Sequence, residues 1–176
     1  MLKLLKRKEI DVQRWDALIA ESTAETIYPY SWYLDTVSEN WSALVVDDYR
    51  FVMPVVWKQK YGFKFMYQPF YTQQLGVFSR EYVDPTLIRE LLSLLYRKFR
   101  FGNLNFNTRN LVSEEEHFSV YDKSNYVLDL DRNYEDLYAG YSTNAKRNLK
   151  RAQTHPEEMI QDASCEEILA FKKEND

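Results

Sequence analysis

The chain has 176 residues, 45% of them hydrophobic, and a formal net charge of −4. That length accommodates one large domain or one domain and part of a second, and that composition is too apolar for a disordered chain. Net negative charge argues against a protein that coats nucleic acid or an anionic membrane through its overall field.

The first residues, Met1 to Lys8, are basic. Lys3, Lys6, Arg7 and Lys8 interrupt their apolar neighbours. No stretch approaches a signal peptide's apolar core or the roughly 20 residues of a membrane span, so a cytoplasmic protein without a membrane span is expected. Asp11–Ser22 places Val12, Trp15, Leu18 and Ile19 on one helical face, with Asp11 as N-cap. A second helix is expected after Pro29, from about Ser31, carrying Trp32, Leu34 and Val37. Trp41–Val46 and Phe51–Trp57 are apolar runs rich in β-branched and aromatic residues, joined by a turn at Asp47-Asp48-Tyr49-Arg50. Phe63–Gln68 and Gln74–Phe78 continue the strand-like texture, giving two helices and then an antiparallel meander of three or four strands.

Asp84-Pro85 starts a helix in which Leu87, Ile88, Leu91, Leu92, Leu95 and Phe99 form a wide apolar face. Arg97, Lys98 and Arg100 carry the charge favoured at a helix C-terminus. Phe101–Asn107 alternates like a half-buried strand, Leu111–Ser124 reads as a loop with one short strand, and Asn125–Leu130 reads as a further strand. Tyr134–Tyr141 suggests a short helix ending near Gly140. Ser142–Gln153 follows with Ser142 as N-cap and Pro156 as stop. Met159–Ala163 reads as a strand, and Ser164 and Glu167 have capping-box spacing for a last helix. A strand and helix begun so late would need a sheet to join, so a fragment lacking most of a second domain is expected. Any oligomer would then form through the truncated face.

Between Asp136 and Glu157 there is no acidic residue, yet Lys146, Arg147, Lys150 and Arg151 fall within six positions. At helical spacing they form one stripe, with Asn144 and Asn148 on a neighbouring line. Two readings stand. The stripe is a solvated face paired to Asp129, Asp131, Glu135 and Asp136, or it binds phosphate through guanidinium forks and ammonium point charges. A polar-aromatic cluster, Tyr67, Gln68, Tyr71, Gln73 and Gln74, lines an acceptor cleft or is a sheet face with tyrosines at its rim. The same two readings hold for the overall richness in 14 Tyr, 10 Phe and 4 Trp. His117 and His155 have no spacing for a metal site or a catalytic triad, and no metal is expected. Cys165, the only cysteine, excludes an intrachain disulfide and a multi-thiolate zinc site, and it reads as an idle thiol. Glu114–Glu116 reads as a solvated loop, Asp47-Asp48 as a turn. No catalytic residue is identified.

Three stretches taken together, Tyr126-Val127-Leu128-Asp129-Leu130, Tyr134-Glu135-Asp136-Leu137 and Tyr141 to Ala152, resemble the FemAB/FemX type of acyltransferase. In that family a strand ending LDL leads through a short helix into a basic helix of the form S-x-x-x-R-x-x-I-x-x-A. The matching positions are Ser142 or Thr143, Arg147, Leu149 or Lys150, and Ala152. The Trp-bearing first helix, Ser31-Trp32, Trp41, Pro54 and the Gln68–Phe78 segment also fit.

The resemblance implies a mixed α/β (α+β) fold of the acyl-CoA N-acyltransferase (GNAT) superfamily. That fold is a mainly antiparallel sheet flanked by helices, with a first GNAT-like domain over 1–131 and the basic helix and beginning of a second over 132–176. It implies acyl or aminoacyl transfer to an amine, with acyl-CoA or aminoacyl-tRNA as donor and a small-molecule or phosphorylated substrate. Asn144, Lys146, Arg147, Lys150 and Arg151 would hold a phosphate. The chain departs from the pattern in its glycines: Gly62, Gly76, Gly102 and Gly140 are isolated, with no Gly-rich turn to open a pyrophosphate-binding helix. The alternative expectation is a non-catalytic GNAT-like domain that binds a phosphorylated ligand or a partner such as tRNA.

Overall fold

A computed structural model describes residues 1–99, 101–115, 117–154 and 163–174. The chain divides into two units, Met1–Asp122 and Lys123–Asp176. It is a mixed α+β protein whose described residues contain four antiparallel strands and six α-helices. The expected strand over Met159–Ala163 and the helix stop at Pro156 lie outside the described residues, as do His155, Arg100 and Glu116, apart from Ala163, which is in no element.

In the first unit the strands are β1 (Leu2–Lys6), β2 (Trp41–Val46), β3 (Phe51–Lys60) and β4 (Phe63–Met66), in spatial order β1-β2-β3-β4. The meander β2–β3–β4 is the expected one. β1 was not expected: its apolar residues Leu2, Leu4 and Leu5 are interleaved with lysines, and only pairing with β2, from Leu2 with Val46 to Lys6 with Ser42, draws it into the sheet. Six consecutive residues of β2 are buried because both faces of the sheet are covered. The turn between β2 and β3 holds Asp47, Asp48 and Tyr49 at positive φ, as a tight connection demands.

Side chains of β2 and β3 alternate between two cores. On one face Leu44, Val46, Phe51, Met53 and Val55 pack with Ile88, Leu91, Leu92 and Leu95 of α3 (Pro85–Lys98). On the other, Ala43, Val45, Val52 and Val56 pack with Trp15, Leu18 and Ile19 of α1 (Val12–Ala20) and Leu34 of α2 (Ser31–Val37). Each buried leucine of α3 stabilises the fold by about 2 kcal/mol through removal of apolar surface from water. The caps are the expected ones: Asp11 accepts from the Arg14 N–H at 3.2 Å and Asp84 from the Thr86 N–H at 2.7 Å, with Pro85 at the first helical position.

Pro54 sits within β3, a place where a missing N–H is normally costly. Val52 exchanges both backbone hydrogen bonds with Phe78, whereas Trp57 donates to the Asn40 carbonyl on the β2 side. By alternation Pro54 faces the Phe78 side. There Val52 pairs with Phe78, and β4 begins its pairing only at Trp57. The proline occupies the gap between two neighbours, where no N–H is required.

Gln74–Phe78 and Phe101–Asn107 are not strands. They make isolated bridges only: Val52 with Phe78, Met66 with Gly102, and Leu75 with Phe106. Side chains replace the missing ladder. Asn110 accepts from the Val77 N–H at 2.7 Å and donates to the Val77 carbonyl at 3.1 Å. Asn107 donates to the Leu75 and Val77 carbonyls at 3.1 and 3.0 Å. Gly76, at φ +95°, lies so close to Asn110 and Phe106 that a Cβ there would collide.

In the second unit Asn125–Leu130 is likewise not a strand. It is irregular and exposed, with Tyr126 94% accessible. Three helices follow, α4 (Tyr134–Ala139), α5 (Thr143–Gln153) and α6 (Cys165–Glu174). Ser164 and Glu167 form the expected capping box, the Ser164 N–H donating to the Glu167 carboxylate at 2.7 Å and the Glu167 N–H to Ser164 Oγ at 3.2 Å. No described residue of this unit is buried.

Candidate functional site

α5 owes its start to Ser142, whose Oγ accepts from the Ala145 N–H at 3.2 Å. The preceding helix is capped by Asn133 and closed at Gly140, whose N–H returns to the Asp136 carbonyl. At about 100° per residue, Asn144, Arg147, Asn148 and Arg151 share one arc of α5, and Lys150 and Lys146 extend it on the Arg147 side. Ala145 and Leu149, off the arc, are half-buried, as is Lys146 at its edge, and the rest of the arc is exposed.

The five expected ligand residues are therefore brought to one side of one helix, but they are not equivalent. Lys146 turns back on the unit: its Nζ donates to the Ala139 carbonyl at 2.9 Å, at the C-terminus of α4, and lies 5.3 Å over the Tyr138 ring. Asn144 orients Arg147, its Oδ1 accepting from the exposed guanidinium at 2.6 Å. Lys150 and Arg151 extend into solvent. Among the described residues no carboxylate pairs with any of these four cations, so the pairing to Asp129, Asp131, Glu135 and Asp136 is not formed. Tyr134, Tyr138 and Tyr141 follow one another as tilted ring pairs at 5.9 Å centroid spacing. The arrangement is an exposed array of donors that has, among the described residues, no carboxylate of its own.

In the first unit the polar-aromatic cluster is partly consumed by structure. Gln68 braces two segments, donating to the Thr72 carbonyl at 3.0 Å and accepting from the Asn105 N–H at 3.2 Å. The Tyr67 hydroxyl lies 3.3 Å from Ser38 Oγ, and Lys58 Nζ lies 4.7 Å over its ring. Tyr71, at φ 62°, accepts on its carbonyl from the Tyr33 hydroxyl at 2.6 Å. Gln73 is exposed and Gln74 half-buried.

A groove of about 420 Å³ that the sequence did not point to opens beside Ser38, lined among others by Lys6, Arg7, Asp35, Trp41 and Trp57. Asp35 organises it. Its carboxylate takes two hydrogen bonds from Arg7, at 2.7 and 2.6 Å, and one from the Trp41 indole at 2.8 Å. The Arg7 hydrogen bonds, with help from Trp41, hold this carboxyl below the usual carboxylate range. No spacing in the sequence announces the groove, because β1–β2–β3 register alone brings Lys6 beside Ser42 and Trp41 beside Val56. His117 stacks on Tyr96 at 4.2 Å, and Cys165 is exposed. Among the described residues no group of His, Cys, Asp and Glu is arranged to hold a metal ion, and no helix is long and apolar enough to cross a membrane. Comparison of the chain with protein-family models, with curated proteins and with solved structures finds no match.

Proposed function

We propose that the chain serves N-acyl transfer, of an acyl or aminoacyl group from coenzyme A or tRNA to an amine, with α5 holding a phosphate of the donor or acceptor. One observation carries the phosphate part: Arg147, Lys150 and Arg151 stand on one exposed arc without a carboxylate partner among the described residues, and Asn144 orients the first of them. Like charges so placed repel by a few tenths of a kcal/mol per pair, a cost that a bound phosphate would reverse. The reaction class rests on the resemblance of 126–152 to FemAB-type acyltransferases. In that reading catalysis comes from positioning the amine against the thioester or ester, with backbone amides carrying the carbonyl oxygen.

A second reading, a non-catalytic domain binding a phosphorylated ligand, is favoured by the glycines. Gly62 turns a hairpin, Gly76 and Gly102 make room for Asn110 and Met66, and Gly140 ends α4. Gly62, Gly76 and Gly102 are thus employed away from any helix start, and Gly140, which precedes the Ser142 cap of α5, stands alone rather than in the Gly-rich turn that a pyrophosphate loop needs.

Titration of the full chain with coenzyme A, with inorganic pyrophosphate and with bulk tRNA tests both. R147Q/K150Q is expected to weaken binding about tenfold or more while shifting the melting temperature by no more than a few degrees, since exposed charges stabilise little. Unchanged binding would remove the phosphate role of α5. Binding without acyl transfer to an amine acceptor would favour the second reading.

A further inference from the structure

β3 and β4 continue past the rest of the sheet. β2 stops at Trp41, opposite Val56, so Lys58–Lys60 and Phe63–Phe65 pair only with each other, forming a two-stranded arm. From Phe51 to Arg80 the sequence has no acidic residue, in a chain of net charge −4, and the arm carries Lys58, Lys60 and Lys64. None of the three lysines pairs with a carboxylate among the described residues. They lie instead along aromatic rings: Lys58 Nζ is 4.7 Å over Tyr67, Lys60 Nζ 5.4 Å over Tyr61, and Lys64 Nζ 4.4 Å over Trp57.

The aromatic residues grow more exposed toward the tip. Tyr67 and Phe65 are half-buried, Phe63 is 63% exposed and Tyr61 87%. Tyr61 is also held against its backbone preference. The tip is a two-residue turn with φ of 50° at Tyr61 and 82° at Gly62, the geometry in which Asn-Gly is favoured and a bulky residue at the first position is disfavoured. A tyrosine kept there at a conformational cost, with its ring in water, points to a use for the ring.

We propose that this arm docks the protein on an anionic lipid bilayer, Tyr61 and Phe63 entering the interface and Lys58, Lys60 and Lys64 meeting the headgroups. The dimensions suit that occupant. The Lys58–Phe65 pair lies two pairs behind Lys60–Phe63, about 7 Å at ~3.3 Å per residue, and interfacial elements bury their apolar part about 5–10 Å deep. Tyrosine, with an apolar body and polar tip, is favoured at that depth, and lysine stems reach back to phosphate. A single-stranded nucleic acid is the poorer fit. It would need free ring faces in a row, and the Tyr67 face is already taken by Lys58 while the most exposed rings are at the tip. The local charge acts against the molecule's own negative field, so the arm would dock by its end.

The experiment is co-sedimentation of the full chain with vesicles of phosphatidylcholine alone, or with about one third phosphatidylglycerol. Binding is expected only to the second kind, falling with added salt and by about fivefold for each lysine changed to glutamine. Y61N is the decisive variant, because asparagine suits the turn: the melting temperature should hold or rise while vesicle affinity drops several-fold, and F63S should lower affinity further. R147Q/K150Q, which removes charge from α5, should retain most of the binding, so failure of the phosphate reading and failure of this one are separable. No binding to anionic vesicles, or binding undiminished in Y61N/F63S, would overturn the proposal. So would arm-dependent binding of poly(dT) without vesicle binding.

Discussion

Asn107 and Asn110 do for the Leu75–Phe78 segment what a neighbouring strand does elsewhere. Both are buried, and between them they satisfy the Val77 N–H and the Leu75 and Val77 carbonyls. Asn110→Ala would leave the Val77 N–H buried without an acceptor and open a small void. It is expected to cost about 3 kcal/mol, the scale for an orphaned buried donor, where a surface Asn→Ala would cost a few tenths. Urea unfolding, with the exposed Asn125→Ala as reference, measures the difference, and equal losses would mean that water replaces the amide. Here the sequence was opaque. Asn107 closes a run that reads as a strand, and nothing local marks it or Asn110 as the side-chain substitute for one.

At the scale of elements, Asp35 joins three pieces. It stands on α2, takes the guanidinium of Arg7 from the turn after β1, and takes the indole N–H of Trp41 at the start of β2. Its folded pKa is depressed, chiefly by the Arg7 hydrogen bonds, so its contribution is present above the usual carboxylate value and is lost as pH falls through and below that value. Both partners are more than a third exposed, so screening keeps the effect to on the order of 1 kcal/mol or less. Asp35→Asn is expected to flatten the acid limb of the stability profile below about pH 4, the ordinary carboxylate range, and to leave the neutral-pH shape intact. A profile parallel to wild type would assign the staple no part in acid unfolding. Helices with self-contained signals were legible: Asp11, Asp84 and Ser142 cap where the sequence places them, and the Ser164–Glu167 box closes as expected. β1 was not, because its lysines hide an alternation that only the partner strand resolves. Of the candidate phosphate site the stripe was legible, since helical periodicity fixes which residues share a face. The diversion of Lys146 to the Ala139 carbonyl was not, because it depends on the angle of the turn before α5.

Over the whole molecule the two units differ in kind. Met1–Asp122 holds two cores on either side of one sheet, while no described residue of Lys123–Asp176 is buried. Amide exchange should reflect this. Backbone amides of Val45, Met53 and Val55 are expected to exchange only through global unfolding, and those of α4 and α5 many orders faster through local opening. Protection of α5 approaching that of β2 would require a packing partner for it. The expected strand at Asn125–Leu130 failed for the same reason: Tyr126, Val127, Leu128 and Leu130 have strand-like composition, but a strand exists only through a neighbour to pair with.

Pro54 has a consequence for cooperativity. A strand whose outward hydrogen bonds are interrupted at one residue passes from one neighbour to another there, and the two halves need not melt together. The arm beyond Trp57 can open and re-form, or tilt about its root, while Val52 stays locked to Phe78 and β2 stays paired to Phe51–Val56. Its opening free energy is then set by three cross-strand pairs and a strained turn rather than by the cores. Destabilising the cores by mutation would shift the global transition and leave exchange at Lys58–Lys64 unchanged. The proline thus isolates a small, independently fluctuating lever from the sheet that carries it.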